Sequence, residues 1–421
     1  MQPDQGWNAG DAARGSEDCL YLNVWVPRHR DGELLPVMVW FHGGAFVGGA
    51  GNTPLYDGEE IARRGVILVT VNYRLGIFGY HTHPDLALEG GREVSGNYGM
   101  LDQIAALRWI KRTIPAFGGA SDNVTLFGQS AGSASVGLLL ASPLAEGLMK
   151  RAIFESGPPF GALLGRLPRL EDAEAADRRL GDIAQLRLLD PQQLLNLWER
   201  QQKSADKRLG PVVDGYAIPQ EPVRMYGSGA ASRFSVMVGY NSREFPGTAA
   251  PDALQKELRS VFGAHAGAVS KYYAARADKV HFGSVSDQLA TDTMFGCGSV
   301  RLAQAAGMAW LYEFSQPSPG EPMVRHSSEL PYVFGNANKD GKVLSTRSFN
   351  SEEASLSRLV IDYWTNFAKT GDPNGPGLAR WPRYNPANVQ RLRLAVAPAL
   401  VTGRESPACP VLLETRASAF P

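Results

Sequence analysis

"NVTLFGQSAGSASV", residues Asn123–Val136, joins an apolar run to a helix-forming run, with Ser130 between two glycines at the junction. A Gly-x-Ser-x-Gly string arises readily by chance in a chain with 46 glycines among 421 residues, so its setting decides the reading. "NVTLFG" predicts a strand and "SASVGLLLAS" a helix, which puts the serine on a strand-to-helix turn. Such a turn strains the serine backbone, needs glycine where a side chain would collide, and pushes the hydroxyl away from the sheet. The helix that follows aims its N-terminus at the site, so the Ala131 amide can donate to a developing oxyanion. The plainer alternative is a Gly-Ser turn whose hydroxyl only caps the helix.

The flanking sequence decides the fold class. "PVMVWFHGGAF", "GVILVTVNYRLG", "KRAIFESG", "FSVMVGYN" and "AWLYEFSQ" read as strands, and "GMLDQIAALRWIKRTI" as a helix among them. Continuous apolar strands separated by helices require a sheet covered on both faces, which predicts a doubly wound, mostly parallel α/β architecture. Residues 161–210, rich in Leu, Arg, Asp and Gln at helical spacing, predict a helical insertion over the active site. A last long helix is expected at "SEEASLSRLVIDYWTNFAKTG", with Ser351 and Glu353 as start signals and Gly371 as the stop. The tail beyond it reads as irregular. With neither repeat nor low-complexity tract, and "SQPSPGEP" a loop, residues 1–421 are expected to form one domain.

Composition removes several function classes. The 42 basic and 42 acidic residues cancel, which gives no general attraction for nucleic acid or an anionic membrane. No apolar run is long enough for a membrane span, and "MQPDQGWNAG" lacks the features of a signal peptide, so a native start would imply a cytoplasmic protein. Cys19, Cys297 and Cys409 are too few for a disulfide scaffold or a zinc site. Buried free thiols are expected in a reducing compartment, with Cys297 and Cys409 the candidate pair outside one. His81 and His83 in "HTHPD" have no cysteine or acidic cluster beside them, so no metal is expected. "GGAFVGGAG" lacks the Gly-Lys-Ser/Thr of a phosphate loop, and no cofactor is expected.

A serine nucleophile needs a base, and the base needs a carboxylate to fix its tautomer. His326 occupies a long loop after the strand "AWLYEFSQ" and is the candidate base; Glu244, just beyond "FSVMVGYN", is the candidate acid, ahead of Asp214 in the turn-like "VVDG". "FHGGAF", at the end of another apolar strand, offers free backbone amides for an oxyanion hole, with His42 orienting the loop. Phe46, Phe160, Phe245 and Phe295 suit a substrate pocket or the core equally.

These stretches together resemble the type B carboxylesterase and lipase family, the α/β-hydrolases related to cholinesterases. The resemblance rests on "SEDCLYLNVWVP", "HGGAF", "NYRLGIFGY", "FGGASDNVTLFGQSAGSASV", "AIFESG", "PVVDG", "GYNSREF" and "RHSSELPYVFG", and runs from Ser16 to Trp381. It implies an α/β-hydrolase fold and a Ser130–His326–Glu244 triad acting through an acyl-enzyme on small or medium uncharged esters. It also implies oxyanion donors at Gly44, Ala45 and Ala131, with Gly43 letting the loop turn, and a structural Arg74–Asp102 salt bridge. The rival readings are a non-catalytic binding module on the same fold, or a lipase, thioesterase or amidase.

Two departures stand out. Family members carry a longer segment ahead of "EDCLYLNVW", whereas here Met1 to Gly15 precede it, so the partners of Cys19 and Glu17 in the family pattern are missing and Cys19 is expected to be a free thiol. Phe245 stands where the family often has glycine after the acid, and its bulk is expected to press on the acid loop. The first departure implies either a late start or a short variant with an open sheet edge, and an open edge predicts a homo-oligomer. Light scattering should then report a species heavier than the 45.5 kDa chain, and a monodisperse monomer would refute it.

Overall fold

Along β2 (Leu35–Phe41) side chains alternate between two apolar environments: Val37, Val39 and Phe41 face one core, Met38 and Trp40 the other, and all five are fully buried. A strand with no polar face has to lie inside a sheet covered on both sides. The computed structural model describes residues 15–28, 32–91, 94–160, 164, 166–204, 210–247, 251–338, 344–402 and 406–417. Among them β2 is joined by β1 (Leu22–Trp25), β3 (Ile67–Val71), β4 (Gly119–Gln129), β5 (Arg151–Glu155), β6 (Ser235–Asn241), β7 (Met308–Phe314), β8 (Gln390–Leu394) and β9 (Ala399–Thr402).

The nine strands form one sheet in the order β1-β3-β2-β4-β5-β6-β7-β8-β9, parallel except where β1 meets β3 and β8 meets β9. The helices Tyr98–Thr113, Ala131–Ala141 and Cys297–Ala305 cover one face through residues such as Ile104, Leu139 and Leu302. The helix Ser351–Thr370 covers the other through Val360, Trp364 and Phe367. This is the doubly wound, mostly parallel architecture expected. β3 and β4 lie on opposite sides of β2, so the strand order reverses there and opens a crevice at the carboxyl ends of β2 and β4.

The tail corrects the sequence reading: it is not irregular but supplies β8, β9 and the helix Cys409–Ala417. β8 (QRLRL) alternates arginine with leucine and β9 (ALVT) is only four residues long and mostly exposed, so neither carries the longer buried apolar run that marks the inner strands. The long helix runs Ser351–Thr370 as expected, and Asn350 caps it: its side chain accepts from the Glu353 amide and the Glu353 carboxylate accepts from the Asn350 amide. Cys297 and Cys409 are joined in a disulfide, and Cys19 is a buried free thiol. Arg74 and Asp102 form a two-pronged salt bridge at 2.7 and 2.8 Å. Among the described residues no helix is long and apolar enough to cross a membrane.

The turn at Ser130 depends on a close approach of backbones. A methyl group on Gly132 would lie 1.9 Å from the Phe41 carbonyl oxygen, and one on Gly128 would lie 2.6 Å from the Gly132 carbonyl carbon. Gly132→Ala should therefore force the Ala131–Ala141 helix off β2 at a cost of at least several kcal/mol, seen as loss of soluble protein or a sharp fall in Tm.

A second fixed point is Glu313 on β7, fully buried and bonded to Arg276 at 2.9 Å, Arg393 at 2.8 Å and Arg391 at 3.3 Å. Burial alone would raise its carboxyl; the guanidiniums of Arg391, Arg276 and Arg393 overcome that and hold it at about 2, below the ordinary 4.5. A depressed carboxyl contributes stability that is complete above pH 4.5 and lost as the pH falls through about 2. Glu313→Gln, which leaves the arginines uncompensated, should cost about 3–5 kcal/mol at neutral pH in denaturant titrations. The difference from the parent chain should shrink between pH 4.5 and 2.

Candidate active site

Ser130 is the first residue after β4 and the cap of the helix Ala131–Ala141, with φ 56° and ψ −124°. A non-glycine residue at positive φ is strained, and two backbone bonds hold it: its amide donates to the Glu155 carbonyl and its carbonyl accepts from the Ala134 amide, both at 2.9 Å. The strained turn is the geometry that the glycine spacing predicted.

The loop after β2 lies against this turn. A methyl on Gly43 would sit 3.1 Å from Ser130 Cβ, so the two strand ends meet at the glycine. Gly44, Ala45 and Phe46 have φ values of 111°, 54° and 64°, an unusual run of positive angles that turns the loop back on itself. Val47 and Gly48 amides donate to the Gly44 carbonyl at 3.0 Å and close the turn. Among the described residues, the loop backbone bonds include none donated by Gly44, Ala45 or Ala131. His42 is buried, stacks on Tyr73, and its Nδ1 lies 2.8 Å from the Gly43 carbonyl. Burial pushes its imidazole down to about 4, so it stays neutral.

Glu244 and His326 meet beyond the ends of β6 and β7. His326 Nδ1 lies 2.6 Å from Glu244 Oε2, and both side chains are buried. The acid is fixed from three sides: its Oε1 accepts from the Asn241 amide at 2.7 Å, its own amide donates to Thr291 Oγ1 at 3.0 Å, and its carbonyl accepts from the His326 amide at 2.8 Å. Phe245 does not displace the acid. Its ring instead lies 4.5 Å from the His326 ring, with Phe295 at 5.2 Å, so the two aromatics sit against the imidazole.

Sequence reasoning missed three neighbours. Gln129 Nε2 lies 3.1 Å from His326 Nε2, the ring atom away from Glu244, whereas no hydrogen bond joins Ser130 and His326 among the described residues. Glu329 is buried three residues after the histidine and accepts from Asn241 Nδ2 at 2.6 Å. Burial, with the charge of Glu244 behind it, pushes the Glu329 carboxyl up to about 7, so it lends little negative charge to the site in weak acid. Asn241 thus touches both carboxylates. The "GYN" preceding the acid was read only as the end of a strand.

The other candidates lie elsewhere or serve structure. Asp214 accepts from the amides of Tyr216 and Ile218 and from Asn97, which makes it the turn residue its sequence suggested. His81 lies 3.4 Å from Asp177, and His83 accepts from the Asp85 amide at a helix start. Phe46 packs with the helices of residues 170–204, whose Leu180, Leu195 and Trp198 also contact the neighbourhood of Ala131 and Tyr80. Those helices cover the side of the glycine loop that carries Phe46. Phe160 packs edge-on against Tyr226 in the core.

The chain matches the Carboxylesterase family over residues 1–409. It is 36% identical over 409 residues to the para-nitrobenzyl esterase of Bacillus subtilis (strain 168), spanning 90% of this chain and 80% of that protein. It is 36% identical over 395 residues to the fumonisin B1 esterase of Sphingopyxis macrogoltabida, spanning 89% of this chain and 72% of the relative. A crystal structure of a Geobacillus stearothermophilus carboxylesterase superposes with a TM-score of 0.80 at 31% identity, covering 100% of this chain and 88% of that one. With the elbow, the glycine loop and the histidine–glutamate pair on one sheet edge, the chain belongs to the carboxylesterase family and is a carboxylic ester hydrolase of the α/β-hydrolase fold.

Proposed function

We propose that Ser130, His326 and Glu244 carry the hydrolysis as nucleophile, base and orienting acid. The observation behind this reading is the buried 2.6 Å contact between His326 Nδ1 and Glu244 Oε2, which leaves Nε2 facing the turn that bears the serine. Glu244 accepts a hydrogen bond from the Nδ1–H group, which leaves the lone pair of the ring on Nε2, the atom that acts as base. Ser130 Oγ attacks the ester carbonyl as its proton passes to Nε2. The amides of Gly44, Ala45 and Ala131 donate to the oxyanion, and the imidazolium gives its proton to the departing alcohol. Water then repeats the sequence on the acyl-enzyme. All of these groups belong to the chain itself, so the cycle needs no cofactor.

The substrates we propose are small or medium uncharged esters. Phe245 and Phe295 beside the base give the crevice an apolar lining there, and the balanced charge of the chain adds no long-range pull on ions.

Hydrolysis of p-nitrophenyl esters from acetate to decanoate tests both parts. Ser130→Ala should lower kcat by roughly 10⁴–10⁶, and Glu244→Gln by about 10⁴. The parent rate should peak at short or medium acyl chains. Turnover surviving in Ser130→Ala would sink the assignment of the nucleophile. A maximum at decanoate would move the substrate reading toward a lipase.

A further inference from the structure

We propose that Gln129 is a positioning residue for ester hydrolysis: its side-chain amide holds the His326 Nε2 lone pair in the resting enzyme and yields it to the Ser130 hydroxyl when substrate enters. The inference rests on His326 being the base, as argued above. Gln129 is the last residue of β4 and is buried, directly before the serine. Its Nε2 lies 3.1 Å from His326 Nε2. Because Nδ1–H is committed to Glu244 Oε2, the only role left to the other ring nitrogen is acceptor, and the Gln129 amide is the donor.

The oxyanion loop supplies an independent observation. A methyl on Gly43 would stand 2.9 Å from Gln129 Oε1 and 2.9 Å from the Gln129 carbonyl oxygen. The glycine therefore makes room for this side chain, which lies wedged between the loop and the base. Its carboxamide has the oxygen toward Gly43 and the nitrogen toward His326, so one group spans two parts of the site.

The chemistry follows from having one lone pair and two claimants. Nε2 has a single in-plane lone pair, and it must receive the Ser130 proton as Oγ forms its bond to the ester carbon. The Gln129 N–H bond to that lone pair breaks as the Ser130 O–H bond to it forms, so one hydrogen bond replaces another and the ring need not leave Glu244. Until that exchange the ring is held at both nitrogens and against Phe245 and Phe295. A donor on the unprotonated nitrogen also favours the neutral ring over imidazolium, which keeps the base available in weak acid. A carboxylate at the same position would favour the imidazolium instead.

The test is the pH dependence of kcat/KM for a p-nitrophenyl ester in the full chain, comparing the parent with Gln129→Met, Gln129→Asn and Gln129→Glu. The other groups facing the base are Glu244, Glu329 and, behind Glu329, Glu155; the adjacent Arg325 and Arg243 pair with Glu321 and Asp287, and all are common to every variant. Gln129→Met, which loses the donor, and Gln129→Asn, which is one methylene too short, should each move the acid limb up by about half to one pH unit. Gln129→Glu, the same size but anionic, should move it further, by more than about one unit, so that activity at pH 6 falls about tenfold or more against the plateau. Acid limbs that coincide with the parent's in folded variants would overturn the proposal and leave Gln129 a space-filling residue. Nitrogen NMR of histidine-labelled parent protein reads the same contact without substitution: a hydrogen-bonded Nε2 in neutral His326 supports it, and a free one overturns it. Turnover surviving in Ser130→Ala would instead overturn the triad beneath it, so the two failures are distinguishable.

Discussion

Phe41 and Gly132 touch backbone to backbone, and the site is organised around that contact. β2 ends at Phe41 and runs straight into His42, Gly43 and Gly44, while the helix in which Gly132 is the second residue begins directly after Ser130. Bringing these two backbones to contact distance presses the glycine loop against the serine turn. The strained angle at Ser130 and the positive angles of Gly44, Ala45 and Phe46 are local costs, of the order of a few kcal/mol together, that the buried stretches Val37–Phe41 and Val124–Gln129 of β2 and β4 offset many times over.

His326 and Glu244 come from the other half of the sheet. Loops after β6 and β7 are long enough to reach back over its edge, and they are tied to each other more than to Ser130: Glu244 and His326 share a side-chain and a backbone bond, and Asn241 connects Glu244 with Glu329. Half of the proposed site is therefore a hydrogen-bonded pair, and the other half is the glycine loop with its serine turn. Gln129 is the hydrogen-bonded link between the halves.

Legibility in the sequence followed the strength of the local physics. Inner strands such as β2, with Val37, Met38, Val39, Trp40 and Phe41 in succession, are apolar because both faces are covered, and the elbow's glycines are forced by backbone collisions, so both could be read directly. His326 and Glu244 were chosen as candidates through chain order and the family resemblance, since nothing local in "RHSSEL" marks a base; the structure brings the two into contact. β8 and β9 were missed because they lie at the border of the sheet, where β8 tolerates glutamine and arginine and β9 is a four-residue, largely exposed strand. Gln129 stood inside the motif that opened the reading, yet its contact spans 197 positions of sequence and no periodicity reports it. The same holds for Glu329, whose neighbours are set by tertiary packing.

The Cys297–Cys409 bond closes a covalent ring of chain that contains His326 but neither Ser130 nor Glu244. Phe295, which lies against the imidazole, sits two residues outside the ring's closure. A single backbone cut anywhere between the two cysteines therefore yields a two-piece molecule whose pieces remain covalently joined. The segment bearing His326 and the β8–β9 border therefore stays tethered across such a nick for as long as the sulfurs stay oxidised.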